Sequence, residues 1–252
     1  MSDFNRNVTA RGGFADRTAA VDAGLRAYML RVYNYMAAAV ALTGVVAWLC
    51  FQNAVVTNEA GAITALTSFG QMILGGYTPI ILMLATLGLV FFISFRIHTL
   101  QYTTALGLFM LYAALLGAAL TSILVAYTGA SVARVFFISA ASFGALSLYG
   151  YTTQRDLSAM GSFLIMGLFG IIIASLVNIF LKSSGLDWAI SVIGVGVFAG
   201  LTAYDAQRIK EMYDSMDDDG TVGRKAIMGA LSLYLDFINL FLMLLRLVGD
   251  RR

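Results

Sequence analysis

The stretch that decides the fold is FAGLTAYDAQRIK (198–210), followed across a charged loop by ALSLYLDFINLFLMLLRLVG (230–249). Each half belongs to an apolar run of membrane-spanning length, and each run carries one aspartate: Asp205 in the first, Asp236 in the second. A carboxylate inside such a run costs roughly 2.5 to 3.5 kcal/mol on insertion scales, so it normally faces a bundle interior or a water-filled cavity and marks function. Two of them in neighbouring runs need an explanation.

The rest of the chain is of the same kind. It is 60% hydrophobic and 12% charged, where an average soluble domain is about 45 to 50% apolar and about 25% charged, and its mean hydropathy is +0.82. Apolar runs fall at about 32–51, 79–97, 104–127, 132–152, 161–181, 188–208 and 229–248, each near the ~20 residues that cross ~30 Å of hydrocarbon as helix. The expected fold is an all-α polytopic membrane protein with seven transmembrane helices. It divides into a flexible cytoplasmic N-terminal segment, 1–24, and a seven-helix transmembrane domain, 25–252. At the join, Leu25, Met29, Val32 and Met36 recur at helical spacing, which fits either an amphipathic lead-in at the membrane surface or an early start of the first span. In the linker 52–78, AITALTSFGQMI (62–73) reads as a short interfacial helix, and Pro79, the only proline, suits the first turn of span two. Ala113, Ala114, Gly117, Ala118 and Thr121, and a Gly196–Gly200 step, read as helix-packing positions.

Seven spans put the termini on opposite sides. The side of the N-terminus collects most of the Lys and Arg, so the positive-inside rule makes the N-terminus cytoplasmic and the C-terminus external. The net charge of +2 is spread out, with no basic patch for nucleic acid. Cys50 is the only cysteine, which rules out an intrachain disulfide. Enzyme chemistry does not emerge: there is no HExxH, and the single histidine, His98, ends a span without a serine elbow to serve. The acidic run DSMDDDG (214–220) fails as a calcium-binding loop, because Ala226 stands where the bidentate Glu is needed, and it reads as a solvated loop.

The two aspartates have matching depths, both within roughly 6 to 10 Å of the inner boundary at 1.5 Å per residue. On the last run, Gly229, Ser232, Asp236, Asn239, Met243 and Arg246 recur at alternating steps of three and four, a polar line on an otherwise apolar helix. Ser232 and Asn239 are therefore pore-lining candidates beside Asp236. Two carboxyls brought within a few Å cannot both ionise cheaply, so they share a proton and form a pH sensor or gate. With both protons lost, Asp205 and Asp236 make a hard oxygen site suited to Ca²⁺, which takes six to eight oxygen ligands including water. The plainer alternative is that each aspartate bonds only nearby backbone and hydroxyls such as Tyr204 or Ser232. Arg96, ending span two at the same depth, is either a latch on the pair or a snorkelling cation.

AYDAQRIK (203–210) and SLYLDFINLFLMLLRLVG (232–249) closely resemble the signature of the Bax inhibitor family, the transmembrane Bax-inhibitor-motif proteins, in its bacterial form. The resemblance covers about Leu25 to Gly249. It implies a seven-helix fold with the last helix central, wrapped by two groups of three. It also implies a pH-sensitive calcium leak whose di-aspartyl sensor is Asp205 and Asp236, with Arg96 as the latch on helix two. No cofactor is expected, Ca²⁺ being the transported ion. Two departures stand out: LMLATLG (82–88) holds no acidic residue where some bacterial members have one, and the loop before the last helix is longer and more acidic. A second reading makes the chain a non-conducting integral membrane regulator that binds a partner such as a membrane protease or a cell-death protein. The expected location is a bacterial inner membrane.

Overall fold

In lipid the backbone has no water to bond, so a spanning segment must satisfy its own N–H and C=O groups, and a helix does this within one segment. A computed structural model of the chain describes residues 3–58 and 62–252, with side chains described from residue 23 onward. Among the described residues seven helices are long and apolar enough to cross a membrane. The first span, Ala23–Ala54, is the latter part of α1 (Asp3–Ala54), and the expected flexible segment 1–24 falls almost wholly on side chains outside the described residues. Span two is α3 (Thr78–Arg96), with Pro79 in its first turn as expected. Span three is α4 (Tyr102–Ala119) continued by α5 (Thr121–Ala126), with a break at Leu120. The remaining spans are α6 (Gly129–Thr152), α7 (Ser158–Leu181), α8 (Ser184–Glu211) and α9 (Asp219–Val248).

Two sequence expectations need correction. The stretch 62–73 is only half helical. β1 (Val55–Thr57) pairs antiparallel with β2 (Ile63–Leu66), and only then does α2 (Ser68–Leu74) begin, where the Thr67 side chain accepts from Gly70 N–H. Val55, Val56, Thr57, Ile63 and Thr64 are β-branched and favour the strand. The second correction concerns α9, which starts at Asp219, well before residue 229. Asp218 caps it, accepting from the Thr221 amide at 3.2 Å, and Asp217 pairs with Lys225 at 2.5 Å. Part of the acidic run is thus a helix start, where carboxylates meet the unpaired N–H groups and the positive end of the helix dipole.

The helices form two groups of three, α1 with α3 and α4, and α6 with α7 and α8, and α9 lies between them in contact with α1, α4, α6 and α8. Of the membrane-crossing part of α9, 67% is buried, against 44% or less in each other span. This is the arrangement the resemblance implies. The outermost helices carry exposed side chains such as Phe95 and Phe180, which have lipid for solvent. Glycines set the closest approaches: Gly117 lies against the backbone of Thr43, and Gly150 against the backbone of Ala203. Of the Gly196–Gly200 step only Gly200 packs, against Leu164.

Candidate functional site

The α8–α9 seam is built by side chains meeting in antiparallel register. Ile209 lies against Gly229, Asp205 against Asp236, and Met243 against Gly194. At the far end Asp187 approaches Arg246 at 3.8 Å. The polar line of α9 is therefore the face it turns to α8. Ser232 and Asn239 on that line are half-buried, and Asn239 turns its amide to the Leu235 carbonyl of its own helix at 2.8 Å.

The carboxyl groups of Asp205 and Asp236 come within hydrogen-bond reach of each other. Asp236 is buried, 6% exposed, while Asp205 is half-buried. Among the described residues Asp236 Oδ2 is buried and has no hydrogen-bond partner. An ionised carboxylate only accepts, so a bond between the two exists only when one of them carries a proton. Chemically, the pair can hold one proton between two oxygens or present both carboxylates to a cation. Among the described residues no group of three or more His, Cys, Asp and Glu converges to hold a metal ion. A cation at the pair would therefore draw most of its oxygens from water or carbonyls.

Neighbouring residues of the two stretches hold this geometry in place. From α8, Gln207 accepts from the Leu157 amide and donates to the Arg155 carbonyl, both at 2.8 Å, while Lys210 Nζ donates to the Tyr151 carbonyl at 2.9 Å. These bonds tie α8 to the α6–α7 connection. From α9, fully buried Tyr234 shares a 2.6 Å hydroxyl bond with Thr43 of α1 and packs edge-on against Phe109 and Tyr112, and Phe237 packs edge-on against Phe136 and Phe143 of α6.

A family model described as "Inhibitor of apoptosis-promoting Bax1" matches residues 25–252. The chain belongs to the Bax inhibitor family. It is 48% identical over the full length of both chains to a Rickettsia prowazekii protein. It is also 48% identical to the Escherichia coli inner membrane protein YbhL, over 91% of this chain and 94% of that one. A membrane protein of Streptococcus pyogenes is 37% identical over 90% of this chain and 94% of its own.

In this Bax inhibitor family chain, Arg96 stands apart from the aspartates. It is exposed at the end of α3, whose main neighbours are α4 and α2, and the ion pairs among the described residues do not include it. A latch from α3 to the pair is therefore not among the ion pairs of this arrangement, and α3 packs chiefly against α4. The cation that acts electrostatically on Asp205 is Arg208, exposed one turn further along α8. Sequence reasoning passed over it, although spacing of three on one helix makes the two side chains neighbours. It also missed the Thr43–Tyr234 bond, for which the sequence carries no signal, since a buried tyrosine does not announce which helix supplies its partner.

Proposed function

We propose that this Bax inhibitor family protein is a pH-sensitive membrane leak for cations, Ca²⁺ foremost, gated at the Asp205–Asp236 pair. The observation that carries the reading is the buried Asp236 carboxyl, which faces Asp205 and has one oxygen without a hydrogen-bond partner among the described residues. While a proton is shared, the pair joins α8 to α9 and offers little net charge to a cation. When that proton leaves, two adjacent negative charges in a medium of low dielectric repel strongly, and the strain is relieved by separating the helices or by admitting a cation. Proton and Ca²⁺ compete for the same oxygens, with Ser232 and Asn239 lining the route. The packed neighbours on either side, Ile209 against Gly229 and Gly194 against Met243, are consistent with a closed state. By likeness to YbhL we place the chain in a bacterial inner membrane, and by the positive-inside rule its N-terminus in the cytoplasm.

The test is Ca²⁺ entry into dye-loaded liposomes containing the purified protein, from pH 5 to 8, beside an Asp205→Asn, Asp236→Asn double variant. Wild-type flux should rise with pH and the variant should lose that dependence. Flux no greater than in empty liposomes, or the same pH response in both proteins, would overturn the proposal.

A further inference from the structure

Where α1 and α6 meet, the boundary between the two three-helix groups opens into a groove of about 420 Å³, within the roughly 300–1,000 Å³ range of ligand pockets. Its walls are Met29 and Leu30 of α1 and Phe143 and Leu148 of α6. Leu30 and Leu148 are 53% and 62% exposed, so the groove opens onto lipid. Tyr33 and Ser147 span it with a 2.6 Å hydroxyl bond.

One end of the groove is cationic. Arg26, exposed, lines it beside Tyr151. The Tyr151 ring has Lys210 Nζ 5.3 Å from its centroid. Both cations lie at span ends, Arg26 near the start of Ala23–Ala54 and Lys210 next to the last residue of Ser184–Glu211, the level at which lipid headgroups sit. Apolar walls inside the hydrocarbon therefore lead to two positive charges at headgroup depth.

We infer that this groove is a binding site for an anionic phospholipid, one acyl chain lying between Leu30 and Leu148 and the phosphate end held by Arg26 and Lys210. The complementarity is specific in both parts. A zwitterionic lipid fills the apolar walls equally well, but its own cation offsets the attraction at the mouth. Seated there, the lipid touches α1 and α6 together and joins the two three-helix groups beside the Tyr33–Ser147 bond that already links them.

Gly144 makes the site testable, because a Cβ added there meets no atom within 4 Å and a larger side chain enters the groove rather than a neighbouring helix. The measurement is native mass spectrometry of the full chain in detergent, with phosphatidylglycerol and phosphatidylcholine of matched chains added in turn. Wild type should retain phosphatidylglycerol preferentially. Arg26→Gln should reduce that preference about fivefold, the factor set by the ~1 kcal/mol that one cation is worth beside anionic lipid. Gly144→Leu should reduce binding of both lipids while the size-exclusion profile stays that of wild type. Equal retention of the two lipids by wild type, or unchanged retention in both variants, would overturn the inference, and the second outcome would leave the groove to a protein helix.

Discussion

Asp236 has no alternative to Asp205. Its Oδ2 is buried and unpartnered, so without Asp205 to share a proton it stays a buried orphan, whereas replacing Asp236 leaves a half-buried carboxyl that still lies in the field of Arg208. The two single variants should therefore differ. Asp205→Ala should lower thermal stability in detergent more than Asp236→Ala, by about 1 to 3 kcal/mol, the cost of an unsatisfied buried polar group. Equal losses would mean that the partner of Asp236 is not Asp205. At Tyr234 the effect is smaller. Tyr234→Phe removes the hydroxyl bond to Thr43, which keeps its bond to the Ala113 carbonyl at 2.9 Å, so about 0.5 to 1.5 kcal/mol should be lost, read as a shift in the same unfolding transition. Among the site residues, the aspartates were legible in the sequence because a charge in an apolar run is costly wherever it points. For Arg96 depth alone is a weaker guide, since it does not say which helices are neighbours.

At the scale of the element, the α6–α8 contact turns on Gly150, where a side chain would strike the backbone of Ala203, two residues from Asp205. Gly150→Leu cannot be absorbed by a rotamer change. It should cost at least the 1 to 3 kcal/mol typical of overpacking, seen as a lower unfolding midpoint and a poorer size-exclusion profile than Gly144→Leu gives. The start of α9 makes a pH prediction. The Asp218 carboxyl lies outside the span, and its bonds from the Thr221 hydroxyl and amide hold it below the usual carboxylate range. A group whose folded value is depressed stabilises the fold above its unfolded value and loses that contribution as pH falls through the folded one. The protection of the Thr221 amide, measured against its intrinsic exchange rate at each pH, should thus fall on acidification in wild type and be low at all pH in Asp218→Ala; unchanged protection would remove the cap. Elements were legible in proportion to their length. The seven spans follow from hydropathy alone, but α9 begins among aspartates that hydropathy counts as loop. The hairpin at 55–66 is too short for periodicity to separate from helix.

For the whole molecule, the central place of α9 follows from its content: it carries the aromatic contacts to α1, α4 and α6 on its apolar faces and the polar line toward α8. Any movement that separates α8 from α9 therefore works against a core held on three other sides, and the proposed gate lies at the one seam lined by polar groups. The C-terminal residues fasten the opposite end, Asp250 to Arg134 at 2.6 Å and to Ser131 at 2.8 Å, and the Arg252 amide to the Ala126 carbonyl at 3.0 Å. The proposed gate requires proton and Ca²⁺ to exchange at one pair of carboxyls. The direct measurement is proton release on adding Ca²⁺ to the purified, lightly buffered protein at fixed pH near neutrality. Release is expected from wild type and none from the Asp205→Asn, Asp236→Asn variant; equal release from both, or Ca²⁺ binding to wild type with no proton released, would contradict that exchange.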